Sequence, residues 1–220
     1  MYFEIMTEDL STEKLLEHIM TQFHKKSSGT TWRCTSFHGI GGFDKDKSVK
    51  DSKTGKILND LSIYIKAFQK CYGVMGTEYA LIIIVDNDDR DTEAFRSQLE
   101  EVAENAGLKL NHVFAIAVEE MEAWLLGDMQ AIVKAYPKAK KQVITKYVQD
   151  SICGTWEKLA EAVYPGGLRK MRKDCITYQQ IGMKKCEWAD NIGQYMELDT
   201  NESPSFNYMV SEIDSMISDN

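Results

Sequence analysis

The stretch YALIIIVDNDD, residues 79–89, decides the fold of this chain, because it is the most hydrophobic segment and ends abruptly on carboxylates. Tyr79 to Val85 is almost entirely apolar, which is typical of a strand buried on both faces of a parallel sheet. Asp86 and Asp88 follow immediately. The segment therefore predicts a central strand whose carboxyl end carries two acids separated by one residue.

The same pattern of an apolar segment followed by acids occurs twice more. Glu8 follows YFEIM, and Glu119, Glu120 and Glu122 follow VFAIAV. Parallel strands point their carboxyl ends to the same edge of a sheet, and open α/β sheets bind ligands at that edge. Carboxylates that converge there repel each other unless a hard cation such as Mg²⁺ lies among them. The sequence thus predicts a divalent-cation site.

The segments between these strands have the spacing of helices. Apolar residues recur at helical intervals in 15–23, 57–68 and 95–106, and a further strand is predicted at 31–37. The resulting order βαβαβαβ predicts an α/β fold with a mainly parallel, four-stranded, Rossmann-like sheet and helices on both faces. The polar, glycine-containing segment 38–56 predicts a long mobile loop.

Beyond residue 119 the strand signals fade and the pattern becomes helical. We predict two parts, an α/β domain at 1–135 and a helical C-terminal extension at 136–220 that packs on it. Within this second region helices are expected around residues 129–136, 140–150, 155–163, 185–197 and 205–217.

Composition favours a cytoplasmic protein without a membrane segment. None of the 220 residues belongs to an apolar run near the roughly 20 residues that a membrane helix needs. The start, MYFEIMTED, has no basic region before an apolar run, so no signal peptide is expected. The five cysteines form no C-x-x-C pair, which favours reduced thiols, and the four histidines show no zinc-ligand spacing.

The net charge of −8 argues against broad adhesion to nucleic acid, yet basic residues cluster in two segments outside the acidic ones. Either cluster taken alone is more often a solvated helix face. Together, beside a metal site, they predict a track for a phosphate backbone. The candidates are Lys138, Lys140, Lys141, Arg169, Lys170, Arg172 and Lys173, with Lys184 and Lys185 in addition.

The order of the acidic motifs resembles the Toprim domain of DNA primases, topoisomerases and nucleases. Glu8 stands where that family has a glutamate after its first strand, and Asp86 with Asp88 stands where it has a D-x-D after a later strand. The segments IAVEEMEAWLLGD (116–128) and NESPSF (201–206) are similar to a narrower group of short bacterial Toprim proteins. That group is related to nucleases of the OLD (overcoming lysogenization defect) type.

The resemblance implies hydrolysis of nucleic-acid phosphodiesters with Mg²⁺ or Mn²⁺. It assigns catalysis to Glu8, Asp86 and Asp88, and metal binding to the same three residues. Glu119, Glu120 or Glu122 would complete a second metal site, and Glu119 and Glu122 are favoured because Glu120 projects to a different side. Asp89 would be a possible outer ligand. The chain departs from the family at Asp9, where glycine is usual, and this adds a charge beside the site.

The resemblance also implies a partner. OLD-type nucleases work with an ABC-type ATPase, and this sequence contains no P-loop. Any ATP hydrolysis would therefore come from a separately encoded ATPase, in a phage-defence or DNA-repair system.

Three alternatives remain open at this point. Asp86 and Asp88 could simply cap the following helix. The chain could be a catalytically inactive binding or regulatory subunit, or a phosphatase that uses Asp86 as nucleophile, although its D-x-D follows the third strand and continues as D-R-D. The nuclease hypothesis makes two structural demands: Glu8 must lie near the Asp86–Asp88 turn, and no basic side chain should neutralise that edge.

Overall fold

The computed structural model describes residues 1–39, 41–42 and 56–219. Within them, four strands form one sheet in the order β2-β1-β3-β4, and every pair of neighbours is parallel. This confirms the predicted α/β fold. The predicted mobile loop lies mostly outside the described residues. The strands are β1 (Tyr2–Thr7), β2 (Thr31–Ser36), β3 (Tyr79–Asp86) and β4 (Asn111–Ala117).

The strand register brings the carboxyl ends of β1, β3 and β4 together. Thr7 at the end of β1 is paired with Ile84 of β3, and Asp86 at the end of β3 is paired with Ala117 of β4. The residues that follow β1, β3 and β4 therefore begin at one edge, as the sequence predicts.

Ten helices surround the sheet in the described part of the chain. Gly107 ends the third of them in the left-handed conformation (φ 77°), where glycine is free of the Cβ clash. The helices are α1 (Leu10–Lys26), α2 (Ile57–Tyr72), α3 (Thr92–Ala106), α4 (Glu122–Leu126), α5 (Met129–Ala135), α6 (Lys141–Ile144), α7 (Thr155–Val163), α8 (Gly167–Asp174), α9 (Tyr178–Gly193) and α10 (Pro204–Ser218).

The helices cover both faces of the sheet. Side chains alternate along each strand, so Ile82 and Ile84 of β3 join one buried cluster and Leu81 and Ile83 join the other. Helices α2 and α3 supply the second cluster, whereas α1, α9 and α10 belong to the first. The first cluster includes residues from both sides of position 135, so the C-terminal helices share the core of the sheet domain. A boundary at 135 stays a prediction.

Two C-terminal helices reach the sheet domain directly. Helix α9 packs against α1, and α10 packs against β4. Trp124 of α4 is fully buried, and its indole Nε1–H donates to Ser205 Oγ at 2.9 Å. Among the described helices, none combines the length and the apolar character needed to span a membrane.

Candidate active site at the carboxyl edge of the sheet

Glu8 and Asp86 meet at the carboxyl edge. Glu8 directly follows β1, and its backbone N–H donates to Ile84 O of β3 at 3.1 Å. Its carboxylate Oε2 accepts the backbone N–H of Asp86 at 3.2 Å. The first demand of the nuclease hypothesis, proximity of Glu8 to the β3 turn, is thereby confirmed.

Burial raises the affinity of both carboxyl groups for a proton, and the charge of Glu8 adds to the effect on Asp86. Desolvation raises the pKa of Glu8 to about 7, opposed by the Asp86 N–H and assisted by the charges of Asp9 and Asp88. Desolvation and the charge of Glu8 raise the pKa of Asp86 well above its usual range. Near neutral pH this pair therefore retains a proton or requires a cation.

Asp88 has a different environment from Asp86. Its backbone is left-handed (φ 52°), its side chain is half exposed, and its Oδ2 accepts Arg90 Nη1–H at 2.8 Å. The capping alternative is wrong for both Asp86 and Asp88, because the N-cap of α3 is Asp91, whose Oδ1 accepts Ala94 N–H at 2.8 Å.

Asn87, between the two aspartates, fixes the turn. It is buried, its Nδ2 donates to Thr92 Oγ1 at 2.8 Å, and its Oδ1 accepts the backbone N–H of Glu119 at 2.5 Å. The turns after β3 and β4 are thus joined through one amide side chain. The role of Asn87 is not predictable from the sequence, since an asparagine within D-N-D-D has no distinguishing local signal.

Glu119 is held by the start of α7 and not by the acid pair. Its backbone is left-handed (φ 64°), and its carboxylate accepts the N–H groups of Cys153, Gly154 and Thr155 at 3.1, 2.8 and 2.9 Å. A carboxylate is stabilised at a helix N-terminus by the exposed N–H groups and the helix dipole. The Glu119 carboxylate is therefore already engaged by backbone N–H groups, and its role in a second metal site stays a prediction.

Glu122 shares a lysine with Glu120 instead. Lys185 of α9 places its Nζ 3.1 Å from Glu122 Oε2 and 3.6 Å from Glu120 Oε1. Glu122 is fully buried, and its Oε1 has no hydrogen-bond partner among the described residues. The side chain of Lys185, a predicted contact for a nucleic-acid backbone, is only 15% exposed and turned into the acidic cluster, so that contact stays a prediction.

The ammonium of Lys185 influences the whole edge. Desolvation acts to lower its pKa, but the carboxylates of Glu122, Glu120, Asp86 and Asp9 outweigh this and raise it. Desolvation raises the pKa of Glu122 to about 7, with the charge of Lys185 opposing the rise. The second demand of the nuclease hypothesis, an edge without a neutralising base, is contradicted. One ammonium nevertheless faces several acids, so a negative excess remains.

The burial of Lys185 could have been predicted from the sequence. Its position precedes buried Trp188, Ala189 and Ile192 of α9 by three, four and seven residues, which places it on the same helix face. A lysine on a buried helix face needs an acidic partner. Its neighbour Lys184 lies on another face and pairs with Glu187 at 2.6 Å.

Asp9 has both a structural and an electrostatic role. Its Oδ1 accepts Thr12 N–H at 2.8 Å, and its Oδ2 accepts the hydroxyl of Ser11 at 2.6 Å, so it is the N-cap of α1. Its charge also contributes to the raised pKa values of Glu8 and Asp86. The expected added charge beside the site is therefore present.

The donor set suits one hard cation better than two. Among residues 1–39, 41–42 and 56–219, no three His, Cys, Asp or Glu side chains are already arranged around a common ion position. Mg²⁺ is commonly bound by one or two carboxylates, with water and substrate phosphate completing its coordination. Glu8 and Asp86 are oxygen donors that repel each other, and this chemistry fits such an ion.

A solvent-facing depression lies between the turns after β3 and β4 and the start of α7. It has a volume of about 300 Å³ and is walled by Asp88, Asp89 and Glu120 on one side and by Trp156 and Glu157 of α7 on the other. Glu157 also pairs with Arg172 of α8 at 3.5 Å. The depression therefore connects the acidic edge to a basic helix.

The basic candidates lie on the surface of the C-terminal helices. Lys140 pairs with Glu161, and Lys170 pairs with Asp174 at 2.6 Å. The α8 set is closer to the acidic edge, through the Glu157–Arg172 pair. All of the seven predicted contact residues are exposed: Lys138, Lys140, Lys141, Arg169, Lys170, Arg172 and Lys173.

Comparison with curated proteins and with solved structures finds no match. Residues 5–214 match a protein family described as a domain of unknown function, DUF4276. The match extends over nearly the whole chain, and the chain therefore belongs to the DUF4276 family.

Proposed function

We propose that this protein is a divalent-cation-dependent phosphodiesterase, a Toprim-like nuclease that cleaves nucleic acid in the cytoplasm. The observation that supports this most is the approach of Glu8 to Asp86 in a desolvated crevice at the carboxyl edge of a parallel sheet. Ligand sites of open α/β folds occur at this edge.

Glu8 and Asp86 are the proposed ligands of one Mg²⁺ or Mn²⁺ ion. Such an ion, when bound, supplies Lewis-acid polarisation of a phosphate oxygen. In the metal-free protein the pKa of Glu8 is raised to about 7, so Glu8 would release a proton when the ion binds. Asp88 lies at the mouth of the site with Arg90, where it can orient an incoming phosphate through that guanidinium.

Lys185 takes the place of a second ion in this proposal. Its ammonium already balances Glu120 and Glu122, so these acids do not need a metal. A fixed ammonium beside the Glu8–Asp86 pair also supplies positive charge where a phosphodiester would bind. The proposed site thus combines one divalent ion with one lysine.

The substrate is proposed to approach along α8. Arg169, Arg172 and Lys173 are exposed there, and Arg172 adjoins the depression through Glu157. By resemblance to OLD-type nucleases, the proposed partner is a separately encoded ABC-type ATPase in a phage-defence or DNA-repair system.

The test is cleavage of plasmid and single-stranded substrates by purified protein with Mg²⁺ or Mn²⁺. Replacing either proposed ligand, by Glu8→Gln or Asp86→Asn, should lower the rate by roughly 100-fold or more, the range for loss of an acid–base group. Asp89→Asn, at the same edge, is the matched control and should retain activity. Cleavage that persists in both Glu8→Gln and Asp86→Asn would reject this site.

A binding or regulatory subunit without catalysis is the second candidate. Lys185 favours it, because a lysine that neutralises part of an acidic edge is what an inactive relative of a metal enzyme would retain. Calorimetry with Mn²⁺ separates the two candidates. An inactive subunit would show no binding that depends on Glu8, whereas the proposed enzyme would.

A further inference from the structure

A cleft in the C-terminal region is distinct from the acidic edge. Its volume is about 430 Å³, within the range of small-ligand sites. It lies between the end of α5, the α7–α8 junction and α9. Aromatic rings form much of its lining, from Tyr136, Tyr164 and the buried Trp188.

The rim of this cleft presents both hydrogen-bond donors and acceptors. Lys170 Nζ contacts Asp174 at 2.6 and 2.7 Å, and Tyr164 Oη–H donates to the same carboxylate at 2.9 Å. On the opposite wall Lys184 Nζ contacts Glu187 at 2.6 Å. Two ammonium groups and two carboxylates give the rim no net charge.

This lining favours a flat, neutral, polar-edged ligand over an ion or an alkyl chain. A phosphate gains little at a rim where each lysine already has a carboxylate. A planar heterocycle, by contrast, stacks on aromatic side chains and offers donors and acceptors along its edge. Nucleobases have this combination of an aromatic face and a mixed polar edge.

We infer that this cleft binds an unpaired nucleobase of a single-stranded nucleic acid, which stacks on Tyr164. The inference rests on the proposed function and names its substrate class. A base within a duplex is stacked on both sides and paired along its edge, so it cannot enter without leaving the helix. Single strands therefore bind in preference to duplexes.

The position of the cleft relative to the acidic edge supports this assignment. Lys184, on its wall, and Lys185, in the acidic cluster, are consecutive residues of α9, with Cα atoms about 3.8 Å apart. Lys170, on its other wall, belongs to α8, whose Arg172 adjoins the acidic depression through Glu157. A strand with one base in the cleft can thus run along α8, where Arg169 and Lys173 are exposed, toward the acidic edge.

The experiment measures binding without cleavage. Fluorescently labelled oligothymidylate (DNA) and oligouridylate (RNA) are titrated with the protein in EDTA, and the anisotropy is compared with that of a blunt duplex of equal length. We expect at least one single strand to bind more tightly than the duplex. Tyr164→Ala should weaken that binding roughly tenfold, which corresponds to loss of one stacked base.

Two variants separate stacking from loss of structure. Tyr164→Phe retains the ring and should bind within about twofold of the wild type. Tyr195→Ala removes a tyrosine on a different surface, beside Met196, and should leave binding unchanged. Circular dichroism checks that each variant is folded.

The inference is overturned if neither single strand binds, if the duplex binds as well, or if folded Tyr164→Ala binds like wild type. It does not depend on cleavage, because binding is measured without a divalent ion. If the protein binds single strands through Tyr164 but never cleaves them, the nuclease proposal is refuted and the binding inference stands.

Discussion

Two groups of carboxylates at the same edge of the sheet differ in how their negative charge is neutralised. Glu120 and Glu122, after β4, share the ammonium of Lys185. Glu8 and Asp86, after β1 and β3, have a backbone N–H between them and raised pKa values. The comparison teaches that the chain supplies its own cation to one group and leaves the other in need of a proton or a metal.

The largest expected effect comes from removing the internal cation. Lys185→Met leaves the fully buried Glu122 without a countercharge, and loss of one partner from a buried ion pair costs about 3–5 kcal/mol. For a chain of this size that is a fall in melting temperature of roughly 6–20 °C. Thermal unfolding followed by circular dichroism measures it.

A double variant tests the cause. Adding Glu122→Gln to Lys185→Met removes the stranded charge and should restore a large part of the lost stability. If Lys185→Met alone lowered the free energy of unfolding by less than about 1 kcal/mol, the Lys185–Glu122 pair would be no stronger than a surface ion pair. That result would contradict the role of Lys185 as an internal cation.

The second effect is a loss of stability with rising pH in the metal-free protein. The pKa of Glu8 in the folded state, about 7, is above its unfolded value, so the folded state binds more protons between the two. Stability should therefore be highest near pH 5 and fall by roughly 3 kcal/mol as pH rises through about 7. Urea unfolding in EDTA at a series of pH values measures this.

Glu8→Gln should flatten part of that pH profile, because glutamine does not titrate. Adding Mn²⁺ to the wild type above pH 7 should recover stability, since an ion that binds only the folded state stabilises it. Stability that rises steadily from about pH 5 to about pH 8 would show that the Glu8 carboxylate is not destabilised by its surroundings.

A smaller effect is expected at the start of α7. Glu119→Gln weakens three charge-assisted hydrogen bonds from Cys153, Gly154 and Thr155 and should cost about 1–2 kcal/mol. Asp89→Asn, on the same depression, should cost less than about 0.5 kcal/mol. Equal costs for the two variants would mean that Glu119 does not anchor α7.

The smallest effect concerns salt dependence. Arg172→Gln combined with Lys173→Gln should weaken single-strand binding equally for all sequences and reduce the slope of log K against log salt by roughly 0.7 for each lost phosphate contact. Lys138→Gln combined with Lys141→Gln is the comparison on the other basic segment. If only the Lys138 and Lys141 variant changed binding or its salt dependence, the strand would not run along α8.

Much of the fold could be predicted because its signals are local. The apolar run at 79–85, the helical stripes between strands and Gly107 each act within a few residues, and the structure confirms them. The early start of α9 was missed, because its first turns expose Tyr178 and Met183 and so lack an apolar stripe. The capping box of Thr177 and Gln180 was the available signal.

The site could be predicted only in part, because its details depend on contacts distant in sequence. Convergence of Glu8 and Asp86 follows from parallel strands. The contacts of Glu119 with α7 and of Glu122 with Lys185 depend on how the C-terminal helices pack. The backbone groups that bind Glu119 lie 34 to 36 residues further along the chain. Of the neighbouring residues Lys184 and Lys185, only Lys185 is on the buried face of α9, and this depends on where that helix packs.

Calorimetric titration of the metal-free protein with Mn²⁺ tests the central claim most directly. The account predicts one ion per chain, lost in Glu8→Gln and retained in Asp89→Asn, because Lys185 already balances Glu120 and Glu122. Two ions per chain, or one ion whose binding is unchanged in Glu8→Gln, would contradict it.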